Sequence, residues 1–191
     1  MKSIKRKGFT LVELLIVIVV IGILAAMMML SSTEAVSSAK ANNIISNLRN
    51  LKTATLSWYT DNIDSVTYNA SSKKCTIKIG DTTYDSLSNY VLSNKTAITK
   101  YLSNESSLTL MAKGDSTHKD GDYTLNDVNY KDWYVSCKVG TDAKVKEKLA
   151  ARAGSLGLVG FPDKGKLGGE PTQNPYTNAE YVGLLVQKLD D

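Results

Sequence analysis

The feature that most constrains this chain is an uncharged apolar run near its amino terminus. Residues 14–30 read LLIVIVVIGILAAMMML, seventeen residues without a charged side chain. Together with residues 9–13 the run would form a helix of about 33 Å, enough to cross a hydrocarbon core of about 30 Å. The chain beyond it is rich in Ser, Thr and Asn. We therefore expect a hydrophobic transmembrane helix at 9–30, followed by a part of the chain that folds in water.

The excess of positive over negative charge lies entirely in the first eight residues of the chain. The formal net charge is +4, and Lys2, Lys5, Arg6 and Lys7 account for all of it. A nucleic-acid-binding domain would need basic residues spread over a folded face, so this class is not favoured. Basic residues before a membrane helix stay on the cytoplasmic side, which predicts that everything after the helix lies outside.

The composition offers little material for a catalytic or metal centre. The chain has one His, two Cys and three Pro, which argues against a zinc site or a histidine-based active site. Residues 115–127 read DSTHKDGDYTLND, but the spacing of the acidic residues does not fit a calcium-binding EF-hand loop, and a solvated turn is the default interpretation. We expect no enzyme activity, no cofactor and no metal.

One carboxylate, Glu13, lies inside the apolar segment. An unpaired acidic side chain at that depth costs at least about 2.5 kcal/mol, so it is expected to have a function and a partner. The segment contains no Lys, Arg or His, so a cation must come from the chain terminus or from another molecule. The segment itself could be a cleaved signal peptide, a permanent anchor, or a helix that leaves the membrane by another route.

Residues 7–15, KGFTLVELL, resemble the prepilin motif of the type IV pilin superfamily. The resemblance combines a short basic leader ending in Gly8, an aromatic residue at Phe9, Glu13 five positions after the cut, and the apolar helix. It implies that a prepilin peptidase cleaves between Gly8 and Phe9, removes a leader of residues 1–8, and methylates the new amino group of Phe9. The resemblance covers roughly residues 1–60.

Cleavage would supply the cation that Glu13 lacks. The new amino group of Phe9 would lie within one helical turn of Glu13 and would be mostly protonated at neutral pH. In an assembling fibre, Glu13 of an incoming subunit could neutralise Phe9 of a subunit already in place. A half-made buried ion pair is costly, so the pair would set the register of the subunits. The alternative is that Glu13 snorkels to the membrane interface.

The helix is expected to continue beyond the membrane. Ile44, Leu48, Leu51, Thr55 and Trp58 form a narrow stripe on one helical face, which predicts an amphipathic helix over 31–60 packed against a head domain. A continuous helix over 9–59 would be about 75 Å long. Gly22 and the capping-box spacing of residues 31–34 are two places where it could break.

Residues 61–191 are predicted to form a globular extracellular head of mostly antiparallel strands and small helices, so the fold class is α+β, the type IV pilin fold that the resemblance implies. A glycine-rich irregular loop is expected over 154–176, Gly154 is expected to end the last helix, and 179–189 is ambiguous. The predicted strands are 66–69, 75–79, 82–84, 108–112, 123–125 and 133–139, and the predicted helices are 87–102 and 143–153.

Cys75 and Cys137 are the only cysteines, and the predicted topology places both outside the membrane. We therefore expect them to form a disulfide, although two free thiols remain an alternative.

The resemblance implies a structural subunit of a type IV pilus that polymerises with itself through its amino-terminal helix into a surface filament for adhesion, motility or DNA uptake. Its implied partners are the prepilin peptidase, an inner-membrane assembly platform with its ATPase, and the cytoplasmic membrane before assembly. DNA or a host surface as a ligand has no support in the sequence. The alternatives are a type II secretion pseudopilin and a membrane-anchored extracellular binding module.

Overall fold

The computed structural model describes residues 9–72, 74–102, 110–111, 119–128, 131–161 and 170–189. The leader 1–8 and residues 115–118 of the acidic segment therefore lie outside the described residues. The secondary structure elements are α1 (Leu11–Asp61), a 3₁₀ turn (Ile63–Ser65), β1 (Val66–Asn69), β2 (Lys74–Ile79), β3 (Thr82–Tyr84), α2 (Leu87–Ser93), α3 (Lys95–Thr99), β4 (Leu110–Met111), β5 (Tyr123–Val128), β6 (Asp132–Lys138), α4 (Ala143–Leu156), β7 (Leu158–Phe161) and β8 (Tyr181–Lys188).

Helix α1 is continuous over 51 residues, which corresponds to about 75 Å. Residues 11–29, the apolar half of α1, are exposed on every side. From Ser37 onward one face is buried, and Leu48, Leu51 and Trp58 of the predicted stripe lie in the core. One helix therefore has an apolar half without a partner and an amphipathic half that packs on the head.

The helix does not break at either of the two places considered. At residues 31–34 the Ser32 hydroxyl donates to the Met29 carbonyl at 2.9 Å, a bond within the helix rather than a cap on a new one. Glu34 instead turns outward to helix α4. The local capping signal is overridden because Glu34 has lysine partners in the head.

Two sheets follow α1, and the predicted α+β class with mostly antiparallel strands is confirmed. Strands β1, β2 and β3 form a small antiparallel sheet, and the larger sheet has the order β4-β5-β6-β8-β7. Only the β4–β5 pair in the larger sheet is parallel among the described strands. Helix α1 packs against the larger sheet and against α4.

The core between α1 and the sheet is centred on aromatic side chains. The Trp58 ring lies 4.8 Å from Tyr90 and 6.2 Å from Trp133, measured between ring centroids. Tyr59 meets Trp133 edge to face at 5.4 Å. These contacts anchor the carboxyl-terminal end of α1 in the head.

The predicted helix 87–102 is two helices, because the chain turns at Asn94. The backbone there adopts φ −136° and ψ 54°, and the Asn94 side-chain amide donates to the Tyr84 hydroxyl at 3.0 Å and to the Tyr90 carbonyl at 3.2 Å. The side chain thus supplies a local alternative to helical hydrogen bonding.

The predicted stop of the last helix at Gly154 is wrong. Helix α4 continues to Leu156 and ends at Gly157, whose φ of 67° gives the left-handed cap. Gly154 is helical, and the glycine that ends the helix lies three residues further along the chain than predicted.

The glycine-rich segment 154–176, predicted to be an irregular loop, contains strand β7. On one side β7 pairs with β8, the strand formed by the ambiguous segment 179–189. On the other side Gly160 exchanges backbone hydrogen bonds with Gln173. An added β-carbon at Gly160 would meet Ala179 at 2.8 Å, so its lack of a side chain permits this close approach.

Removing Trp58 is expected to destabilise the head. The side chain is 1% exposed, and Trp58→Ala should lower the free energy of unfolding by about 3–5 kcal/mol. Urea unfolding of the full chain in detergent micelles measures the change. Its neighbour Ser57 is exposed and serves as the control, since Ser57→Ala should change stability by less than about 0.5 kcal/mol. Equal effects of the two substitutions would contradict the packing described for Trp58.

Candidate functional site

The amino-terminal end of α1 is closed by a reciprocal cap. Thr10 is the N-cap residue, with extended backbone angles of φ −82° and ψ 151°. Its hydroxyl accepts the Glu13 backbone N–H at 3.2 Å, and the Glu13 carboxylate accepts the Thr10 backbone N–H at 2.8 Å. The pair satisfies two of the helix-end donors that have no partner within the helix.

The cap gives the Glu13 carboxylate a fixed position. The Thr10 hydroxyl also donates to Glu13 at 2.8 Å, and the same oxygen, Oε2, accepts both Thr10 hydrogen bonds. Among the described residues Oε1 has no hydrogen-bond donor, so it is available to a further one. Both Thr10 donors are neutral, so the cap holds the carboxylate but leaves its charge uncompensated.

Thr10 as a partner of Glu13 was not predicted from the sequence. Thr10 and Glu13 have the Thr-x-x-Glu spacing of a capping box directly before an apolar helix, which was the available signal. The same spacing was instead noted at residues 31–34, where the structure does not use it as a cap.

The surface around this end is apolar and uncovered. Phe9 is 84% exposed, and the other large apolar side chains up to Met29 are at least 46% exposed. Gly8, the other residue of the expected cleavage site, lies outside the described residues. By length and composition α1 is able to cross a membrane.

The head is tied to α1 just beyond the apolar half. Glu34 pairs with Lys148 at 2.9 Å and with Lys144 at 3.5 Å, and the Lys148 hydrogen bond is the main cause of the lowered pKa of Glu34. Lys40 pairs with Asp142, the N-cap residue of α4, at 3.6 Å. Each pair is largely exposed and weak by itself, but together they place α4 against the first polar turns of α1.

The predicted disulfide between Cys75 and Cys137 does not form in this structure, where both thiols are free and buried. Cys137 lies opposite Tyr123 at one end of the β5–β6 pair. Cys75 lies on β2 of the smaller sheet, where burial and the charge of Asp127 raise the pKa of its thiol. The two free thiols therefore lie on strands of different sheets.

The described residues contain no group of three His, Cys, Asp or Glu side chains that could hold a metal ion. Lys119 and Asp122, from the acidic segment, form a local turn in which the Lys119 backbone N–H donates to the Asp122 carboxylate at 2.6 Å.

A family profile described as the prokaryotic N-terminal methylation motif matches residues 4–29. The match contains Phe9, the Thr10–Glu13 cap and most of the exposed apolar half of α1. No curated protein and no solved structure matches the chain. The motif therefore identifies the amino-terminal segment, while the head carries no assignment from similarity.

Thr10→Val should loosen the first turn of α1, because the isosteric side chain lacks the hydroxyl. A lost N-cap costs about 1 kcal/mol, so exchange of the Glu13 backbone amide should accelerate about fivefold in micelles. Thr10→Ser keeps the hydroxyl and should behave like wild type. Hydrogen exchange followed by NMR makes the comparison, and unchanged exchange in Thr10→Val would contradict the cap.

The buried thiols predict a loss of stability at alkaline pH. Burial, with a contribution from Asp127 at Cys75, raises the pKa of both thiols from 9.0 to about 12. Unfolded thiols release their protons first, so stabilisation that is complete below pH 9 is lost as the pH rises toward 12. The unfolding free energy should fall across pH 9–11, and less steeply in the Cys75→Ala, Cys137→Ala double variant.

Alkylation tests independently whether the thiols of Cys75 and Cys137 are free. Alkylation of the unreduced wild-type chain should add two labels after denaturation and none before it. A denatured, unreduced chain that takes no label would show that the cysteines are joined after all.

Proposed function

Since the chain is a member of the type IV pilin superfamily, we propose that it is a structural subunit of a type IV pilus, cut by prepilin peptidase and polymerised through α1. The α+β architecture, with one long helix on antiparallel sheets, is consistent with the pilin fold. The superfamily is structural, and no enzyme activity is part of the proposal.

The observation that carries the proposal is the state of Glu13. Its carboxylate is held by Thr10 yet keeps a full charge and one oxygen without a donor, at the edge of a helix whose apolar surface is uncovered. A charge in this setting calls for a cation. Cleavage between Gly8 and Phe9 would create one in every subunit, one helical turn from Glu13.

In the proposed assembly, Glu13 of an incoming subunit meets the methylated amino group of Phe9 on a subunit already in the fibre. Methylation keeps the positive charge of the amine. A subunit added out of register would leave a charge buried without its partner, at a cost of about 3–5 kcal/mol. The ion pair therefore selects the register, while burial of the apolar half of α1 supplies the cohesion of the fibre.

Before assembly, the subunit would span the cytoplasmic membrane once, with its amino terminus inside. The apolar half of α1 and the methylation motif support membrane anchoring. The assembly platform and its ATPase would then lift the helix out of the lipid. The head would form the outer surface of the filament, where adhesion, motility or DNA uptake would depend on its contacts.

Replacing Glu13 tests the assembly mechanism. We expect Glu13→Ala to insert into the membrane and lose its leader normally, while its yield in sheared fibres falls at least about tenfold, because Phe9 amines then lack a counter-charge. Glu34→Gln, on the same helix but paired with the head, is the matched control and should form fibres. Immunoblots of membrane and sheared fractions give the yields. Wild-type fibre yield from Glu13→Ala would contradict the mechanism.

Pilus and secretion pseudopilus share the motif, so the organelle needs its own experiment. For a pilus, the sheared cell-surface fraction should contain long filaments in which mass spectrometry finds this chain. A pseudopilus would instead give no long filaments, and deleting the gene would block release of exported proteins. That second outcome would replace the pilus by a type II secretion function within the same superfamily.

A further inference from the structure

The first turn of helix α4 lies beside α1 just after the end of the apolar segment. The Lys144 ammonium lies 3.5 Å from the Thr33 hydroxyl and 3.5 Å from the Glu34 carboxylate. At a rise of about 1.5 Å per residue, Glu34 is about 6 Å beyond residue 30. The headgroup layer on each side of the hydrocarbon core is about 5–7 Å thick. With 9–30 in the membrane, the Lys144 ammonium therefore lies among lipid headgroups.

A cleft opens at this junction between α1 and the start of α4. It has a volume of about 350 Å³. Its lining consists of three hydroxyls, two ammonium groups, one carboxylate and one exposed valine, from Ser32, Thr33, Ser37, Lys40, Lys144, Asp142 and Val36. Hydroxyl and ammonium donors beside an apolar side chain suit a phosphodiester whose acyl chains continue into the adjoining hydrocarbon.

The charges at the junction favour an anion. Lys40, Lys144 and Lys148 face the carboxylates of Glu34 and Asp142, which leaves one positive charge in excess. The lysine side chains are 60%, 45% and 31% exposed in that order. An ammonium has three donors, so these lysines can bind a phosphate oxygen without giving up their carboxylate partners.

We propose that this junction cleft binds the headgroup phosphate of an anionic phospholipid while the subunit waits in the membrane. Lys40 and Lys144 hold the phosphate, and Lys148 keeps Glu34 in place beside it. The head then rests on the membrane through the start of α4, and extraction into a fibre breaks this contact. The inference relies on the proposed function only for the membrane-inserted state, and it requires no fibre.

The test compares the full chain in nanodiscs of phosphatidylcholine alone and in nanodiscs containing phosphatidylglycerol. A water-soluble acetylating reagent reports the accessibility of individual lysines by peptide mass spectrometry. Acetylation of Lys40 and Lys144 should be about fivefold slower with phosphatidylglycerol, and high salt should reduce the difference. Lys78 is exposed on β2, which contacts the 3₁₀ turn that follows α1, and it should react equally in both discs.

A variant provides the second measurement. In wild type, exchange of the α4 backbone amides should be slower in discs with phosphatidylglycerol. In the Lys40→Gln, Lys144→Gln double variant, exchange of the α4 backbone amides should become independent of the lipid. Lys148 keeps its pair with Glu34 in this variant. Circular dichroism confirms that the variant is folded.

Three outcomes would overturn the proposal: equal acetylation of Lys40 and Lys144 in both discs, an equal change at Lys78, or lipid-dependent α4 exchange that persists in the variant. Protection by millimolar inorganic phosphate in phosphatidylcholine discs would also overturn it, because the cleft would then be a site for free anions. Carbonate extraction of the chain from membranes reports insertion separately. A chain that fails to insert contradicts the proposed function, whereas an inserted chain without lipid dependence contradicts only this inference.

Discussion

The proposed assembly depends on the uncompensated carboxylate of Glu13. Glu13 lies where an apolar helix begins, and Thr10 binds it with two neutral donors through a single oxygen. The hydrogen bonds fix its position and satisfy the helix end, but they cannot cancel its charge in lipid or in a fibre interior. A cation one turn away, on a neighbouring chain, would complete the site. The cap thus prepares Glu13 for a partner without replacing that partner.

The rest of the molecule determines which part of α1 is buried in the head and which part stays uncovered. The apolar half of α1 is uncovered, whereas the half beyond Ser37 is anchored by Trp58 and its aromatic neighbours. Between them, Glu34 and Lys40 hold α4 against the first polar turns. These ion pairs place the start of α4 beside the end of the apolar half of α1. In the proposed function, this is where the head would meet lipid headgroups before assembly.

Regular features of the sequence predicted most of the fold. The apolar run and the stripe ending at Trp58 predicted α1, and alternation predicted β1 and β3 with the observed bounds. The predictions fail where tertiary contacts determine the local structure. The glycines around β7 indicate a loop, yet the lack of a side chain at Gly160 permits the close approach that the strand needs. Asn94 interrupts a predicted helix through its contact with Tyr84. Being the only two cysteines predicts that Cys75 and Cys137 pair, but the sequence does not reveal that they lie on strands of different sheets. The Thr-x-x-Glu spacing of Thr10 and Glu13 also predicts a cap, but an acidic residue in an apolar segment draws attention to cations and not to neutral donors.

The most direct measurement of the central claim is a distance within the assembled fibre. Fibres would be grown from a mixture of two subunit pools, one with ¹⁵N-labelled phenylalanine and the other with ¹³C-labelled glutamate. Solid-state NMR should then detect dipolar coupling between the Phe9 amino nitrogen and the Glu13 carboxyl carbon at a distance of about 4 Å. Because the two labels are on different chains, this coupling reports only an intermolecular ion pair. Fibres that form normally but show no such coupling between the two pools would contradict the account.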